Sequence, residues 1–338
     1  MQALAEKLKE IYRREKPPAA EAYLENLWAV LEVLGTEPDE IRPPDADGRP
    51  GGLVLLDRGL PTIVVPDLHA RMDFFLSVLG YEAEKGRKAI DVLAEGRLQI
   101  VCLGDGVHSE GRAAGRWQAA LGEFQEEYRV HDNMDEEMRE SLGVMGMVME
   151  VKRSFPGQFH FLKGNHENIR NEMGGGNLPF RKYALEGLMT LDYMERFYGE
   201  EMVEAYALFE KELPLLAAGR GFLISHAEPG SLFDRNSVVE YRRHPEVVSG
   251  LTWTDNGEAE EGSVARMLAH YLGKAEGAGG CYFTGHRPVS GRYGLRASGR
   301  LVQIHDPERF TIAFLPGSPA INLERDVREI DNIAEAMA

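Results

Sequence analysis

The chain has 338 residues, with 38 Lys and Arg against 55 Asp and Glu, for a formal charge of −17. Its 43% hydrophobic and 28% charged residues are the proportions of a chain that folds around a core, which excludes disordered and fibrous classes. The acidic balance, without any Lys/Arg block, excludes counterion-driven binding to duplex nucleic acid or to an anionic membrane, so an anionic substrate needs a local positive source.

Residues 1–35 carry Leu4, Leu8 and Ile11, then Leu24, Leu27, Val30, Leu31 and Leu34, at helical spacing. Pro17-Pro18 interrupts the pattern, which predicts a helical hairpin. Residues 36–52 are turn-rich and polar, a linker by composition, so 1–50 is read as an N-terminal extension. From there to 316, short β-rich runs alternate with long helical segments, the pattern of an α/β domain with a partly parallel sheet. Helical insertions are expected at 112–155 and 178–213, and a tail at 317–338. Met134, Met138, Met145, Met147 and Met149 read as core filler, and the acidic run from Glu123 to Glu140 as a solvated helix face. Cys102 and Cys281 lie in apolar runs and read as buried free thiols. The amino terminus lacks the apolar core of a signal peptide, and no apolar stretch approaches the ~20 residues that span a bilayer. A cytoplasmic protein without membrane contact is expected.

The informative feature is how the strand-like runs end. Thr62–Val65 leads into Asp67-Leu68-His69, and Leu98–Leu103 into Gly104-Asp105-Gly106. Phe159–Leu162 leads into Gly164-Asn165-His166-Glu167, Phe222–Ile224 into Ser225-His226, and Cys281–Thr284 into Gly285-His286. Because ligand crevices of open α/β sheets lie beyond the carboxyl ends of strands, these residues are expected to converge. They offer carboxylate, amide oxygen and imidazole but no thiolate, which suits Mn, Fe or Zn rather than a structural zinc. Six ligands exceed one tetrahedral ion; a metal pair sharing a carboxylate and a hydroxide, as used for in-line displacement at phosphorus, would use them all.

These blocks, in this order over residues of about 62 to 305, resemble the calcineurin-like metallophosphoesterase superfamily, and within it the phosphoprotein phosphatase and dinucleoside tetraphosphatase branch. Leu251-Thr252-Trp253-Thr254-Asp255 also resembles a Leu-Trp-Ser-Asp segment of the protein phosphatases. The resemblance implies a two-sheet α/β sandwich with flanking helices. It implies that Asp67, His69 and Asp105 hold one metal, that Asp105 also bridges to a second held by Asn165, His226 and His286, and that His166 is the general acid. A bridging hydroxide would then attack a phosphate monoester directly. The rival readings are hydrolysis of a dinucleoside polyphosphate or other phosphodiester, and a catalytically weak metal- or protein-binding module on the same fold.

The chain also departs from the family pattern. The second block usually continues to Asp-Arg-Gly, whereas here Asp105 is followed by Gly106-Val107-His108-Ser109-Glu110-Gly111-Arg112. His108 is therefore either a substitute orienter of His166 or a solvated loop residue. Phosphate is gripped either by Arg112 reaching back or by Arg170, Arg287 or Arg292. Pro66 and Ala70 stand where glycines usually flank the first block, and the last block lacks a second His two places after His286. His305 also follows a strand-like run, but the family offers no ligand there and it reads as packing near the site.

Overall fold

The computed structural model describes residues 2–317 and 321–337. Of the tail expected at 317–338, residues 318–320 and Ala338 lie outside the described residues. In chain order the strands are β1 (Leu53–Leu55), β2 (Thr62–Val65), β3 (Glu82–Glu84), β4 (Arg87–Lys88), β5 (Gln99–Cys102), β6 (Phe159–Phe161) and β7 (Leu216–Ala218). Then come β8 (Phe222–Ser225), β9 (Cys281–Thr284), β10 (Gly294–Arg296), β11 (Leu301–Gln303), β12 (Thr311–Leu315) and β13 (Val327–Glu329). One sheet has the order β1-β7-β8-β9-β11-β10 and a second the order β13-β12-β2-β5-β6, while β3 and β4 form a small ribbon.

Successive side chains of a strand face opposite ways, and that alternation divides the core into layers. Val64 and Val101 from one sheet meet Ile224, Phe283 and Val302 from the other in the space between them. The neighbours Ile63, Val65, Ile100 and Cys102 face outward, where the helices Ala20–Gly35, Met72–Gly80, Asp132–Ser154 and Glu200–Glu212 cover them. Leu223, Tyr282 and Leu301 face the helices Pro245–Thr252 and Ser263–Leu272 on the other side. The molecule is a two-sheet α/β sandwich with flanking helices, the fold class the sequence predicts.

The five methionines between 134 and 149 are all fully buried. The acidic run departs from a solvated face at Glu137, which is also fully buried and accepts the backbone N–H of Ser109 at 2.9 Å. The helices Gln2–Arg13 and Ala20–Gly35 pack on Asp132–Ser154 through Leu8, Leu27 and Val30. Residues 36–52 are held against the domain by Arg42, whose buried guanidinium donates to Glu212 O at 3.1 Å and pairs with Glu37 at 2.7 Å. Lys152 Nζ reaches the same carboxylate at 2.5 Å.

Two sets of parallel strands share one direction of approach. β2, β5 and β6 run parallel in one sheet. β8, β9 and β11 do so in the other. Their carboxyl ends open into the same crevice.

Candidate metal centre

Turning a chain sharply at a strand end while aiming a side chain inward demands unusual backbone. Five of the ten non-glycine residues with positive φ among the described residues lie in these loops: His69 (42°), Ala70 (60°), Asp105 (50°), His108 (63°) and His286 (61°). Each costs about 1–3 kcal/mol and persists only where the surroundings enforce it. Ala70 thus adopts the left-handed conformation for which a flanking glycine would be suited.

Much of that enforcement comes from Glu167. Its buried carboxylate accepts the N–H groups of Asp105 (2.9 Å), Gly106 (2.8 Å) and Gly164 (2.6 Å), pinning the loops after β5 and β6 together. Backbone bonds from His69 N to Asp105 O (2.7 Å) and from Gly285 N to His226 O (2.9 Å) tie the neighbouring loops. Close approach needs glycine at two places. A Cβ at Gly285 would lie 1.8 Å from Asp67 Oδ1, and one at Gly164 would lie 2.2 Å from Asp105 Oδ1.

The side chains meet in two groups that share Asp105. In the first, His69 Nε2 lies 3.9 Å from Asp67 Oδ2 and 3.6 Å from Asp105 Oδ2. In the second, His226 Nε2 lies 2.9 Å from Asn165 Oδ1, 3.3 Å from His286 Nδ1 and 3.4 Å from Asp105 Oδ2. His286 Nδ1 is 2.9 Å from Asn165 Oδ1. All six side chains expected to bind metal are therefore brought to one place.

Backbone carbonyls fix the tautomers. His69 Nδ1 lies 2.9 Å from His108 O, and His226 Nδ1 lies 3.0 Å from Leu103 O. Each ring must donate there, which leaves a lone pair on Nε2 aimed into the cluster. Burial holds these rings neutral: it pushes His69 down to about 3, His226 well below its ordinary value, and His286 down to about 4. The Nε2 lone pair of His226 thus faces the acceptor oxygens of Asn165 and Asp105, an arrangement that a cation satisfies and neutral groups alone do not. Asp67 Oδ1 and His286 Nε2 are buried without a hydrogen-bond partner. Burial, reinforced for Asp105 by Asp67 and Glu167, raises both carboxyls, the sense that a nearby cation reverses. The donor set, its orphaned atoms and its convergent lone pairs fit metal ions.

His166 borders the cluster, with Nε2 3.7 Å from Asp105 Oδ2 and its backbone N–H donating to Asp105 Oδ1 at 2.9 Å. Its Nδ1 lies 3.0 Å from Nδ1 of His108, and Nε2 of His108 lies 3.1 Å from Thr190 Oγ1. His108 is buried, not a solvated loop residue, and lies against the ring of His166. Phe180 covers both rings, its centroid 3.7 Å from that of His166 and 5.5 Å from that of His108.

The arginines are engaged elsewhere. Arg112 pairs with Glu140 at 2.8 Å and donates to Ala70 O at 3.2 Å; Arg170 pairs with Glu200 at 2.9 Å. Arg287, next to His286, pairs with Asp255 at 2.5 Å, which brings the Leu251–Asp255 segment against the site. Arg292 pairs with Glu324. Three neighbours of the cluster have no role that the sequence announces. Glu167 lies in the third block beside Asn165 and His166, Phe180 carries no signal at all, and Glu110 is marked only as part of an altered loop.

No family model matches the sequence, and no curated relative matches it. Among solved structures, a serine/threonine phosphatase from Saccharomyces cerevisiae with similarity to human phosphatase PP5 superposes with a TM-score of 0.53 at 13% identity, covering 93% of this chain and 90% of that one. This chain has the metallophosphoesterase-type fold. A cold-active protein tyrosine phosphatase of a psychrophilic Shewanella covers 89% of this chain and 84% of its own, with a TM-score of 0.46 and 14% identity.

Proposed function

We propose that this metallophosphoesterase-type chain is a metal-dependent phosphatase that hydrolyses phosphate monoesters. The observation that carries the reading is the position of Asp105 Oδ2, 3.4–3.7 Å from ring nitrogens of His226, His69 and His166 and so shared by both halves of the cluster and by the acid. Asp67, His69 and Asp105 would hold one cation, and Asp105, Asn165, His226 and His286 another. When bound, such a pair supplies Lewis acidity, neutralising phosphoryl charge and making water nucleophilic near neutral pH.

The chain's own groups then position and protonate. His166 presents Nε2 to the cluster; burial, with the neighbouring imidazoles, pushes its ring well below the ordinary value, so it would deliver a proton to the leaving oxygen where the charge of bound phosphate restores the imidazolium. In that state Nδ1–H donates to Nδ1 of His108, whose Nε2–H donates to Thr190 Oγ1. His108 thereby does with a neutral ring what the family assigns to an Asp. Phe180 keeps water from the two rings. Among the arginines, Arg287 is best placed to meet phosphate, because it adjoins His286 and its buried Nε has no partner.

A second reading has its own support. Arg112, Arg170 and Arg287 are each neutralised by a carboxylate, as in a module that binds metal without turning over phosphate. The deciding experiment loads the purified chain with Mn²⁺ and measures hydrolysis of an aryl phosphate, then of phosphopeptides, mononucleotides and dinucleoside tetraphosphates. Turnover abolished by chelator and by Asp105→Asn is expected. Chelator-insensitive turnover refutes a metal mechanism, and bound metal without turnover selects the module. Preference for the tetraphosphates selects the diesterase alternative.

A further inference from the structure

Beyond the six-ligand set and the rings of His166 and His108, a further buried imidazole stands at the cluster. His305 is fully buried just beyond β11, and β11 runs parallel to and beside β9, the strand that delivers His286. Position alone puts its ring at the same crevice, and its ring centroid lies 5.4 Å from that of His69.

Its two nitrogens are treated differently. Nε2 lies 2.8 Å from Glu110 Oε2. The other Glu110 oxygen accepts from Lys182 Nζ at 3.1 Å, so the carboxylate is anchored and acts only as an acceptor. The His305 proton must therefore sit on Nε2, leaving a lone pair on Nδ1. That Nδ1 is buried, has no hydrogen-bond partner, and lies 3.8 Å from Asp67 Oδ2. Asp67, His69 and His305 each present a ligand atom within 4.8 Å of the others.

A carboxylate that holds the far N–H of an imidazole, fixing its tautomer and raising its basicity, is a recurrent way of orienting a metal-binding histidine. We propose that His305 is a seventh ligand, binding through Nδ1 the cation held by Asp67 and His69, with Glu110 as its positioning residue. The inference rests on the metal-centre reading and deepens it. It also gives the altered loop after Asp105 a purpose, because Glu110 stands where the family pattern has glycine.

The test uses the full chain and Co²⁺ alone, with equilibrium dialysis for affinity and the visible ligand-field spectrum for coordination. The unsubstituted chain should bind two ions. His305→Ala should weaken one of them by about 10–100-fold and alter its spectrum, while Asn165→Ala should affect only the other. Glu110→Gln should weaken the same ion as His305→Ala by about tenfold without removing a ligand from the spectrum. His305→Gln, which can still donate to Glu110, decides the matter if the alanine variant unfolds, and it should show the same spectral change. Failure of the unsubstituted chain to bind Co²⁺ defeats the metal-centre reading itself. Two ions bound with unchanged affinity and spectrum in the His305 variant overturns the seventh ligand alone.

Discussion

A single methyl group added at Gly285 tests whether the cage geometry is functional. The Cβ of Gly285→Ala would stand 1.8 Å from Asp67 Oδ1 and 2.8 Å from its carboxyl carbon. Ordinary contact requires at least about 3 Å, so the carboxylate must retreat by more than about 1 Å. It has little freedom to do so: Asp67 is fully buried, and its other oxygen holds the His286 N–H at 2.9 Å. Any retreat also shifts the loop that carries His286. A misplacement of about 1 Å at a reacting centre lowers turnover by roughly 100-fold, and overpacking a buried site costs about 1–3 kcal/mol. The expected outcome is therefore a fall of roughly 100-fold in kcat/KM on an aryl phosphate, weaker Mn²⁺ binding and a lower Tm. Gly122→Ala is the matched control. It lies in the helix Ala114–Gln125 with open space around its Cβ, so it should leave turnover unchanged and stabilise by about 0.5–1 kcal/mol. Turnover and metal affinity at the unsubstituted level in Gly285→Ala, measured beside that control, would refute the claim that Asp67 binds metal from its present position.

Other perturbations separate the roles of neighbouring groups. His108→Ala removes the 3.0 Å partner of His166 and should lower kcat by about 10–100-fold with Mn²⁺ content unchanged, part of the ~10²–10⁴ that general acid catalysis contributes; an equal loss of metal would make His108 merely structural. Arg287→Ala should raise KM by about tenfold, while Arg112→Ala and Arg170→Ala, whose guanidinium groups are held by Glu140 and Glu200, change it less than about twofold; the reverse ranking discards Arg287 as the phosphate contact. Away from the site, burial would raise the Glu37 carboxyl, but Lys152, Arg42 and His160 hold it at about 2, below its ordinary 4.5. A carboxyl lowered by folding stabilises above its unfolded pKa and loses that contribution on acidification, so about 3 kcal/mol should disappear between about pH 4.5 and 2. Glu37→Gln should be less stable by a similar amount at pH 7, with the gap closing across that acid window in chemical denaturation; a gap independent of pH contradicts the assignment.

How much of the fold and the cluster is legible in the sequence depends on what kind of signal each residue carries. The strands β2, β5, β6, β8 and β9 are short, apolar and followed at once by Asp, Asn or His, so both their identity and the convergence of their ends can be read from the chain. Glu37 and Arg42 cannot be read that way. They lie in a polar, turn-rich stretch whose composition looks like a linker, and only packing against Lys152 shows them to be a buried ion cluster. Phe180 and Thr190 belong to the same class, since their roles depend on where an insertion folds back over His166 and His108.

His305 is the more instructive case, because it carries the same sequence signal as the six proposed ligands while lacking a family counterpart. Its strand end is as apolar as that of β9, and the parallel pairing of β11 with β9 aims both ends at one crevice. The physical criterion that distinguishes packing from ligation is the state of the two ring nitrogens. Most packed histidines satisfy both or expose one; His305 has Nε2 held by Glu110 and Nδ1 buried without a partner, and, unlike His160, whose Nδ1 is also unpartnered, it converges with ligand-type atoms of Asp67 and His69. The departures at His108 and Glu110 then read as one change. In the loop after Asp105, one residue holds the proposed acid by a neutral ring and the other fixes the tautomer of an additional imidazole, so the cluster and the proposed acid are both positioned by a segment that no longer matches the family pattern.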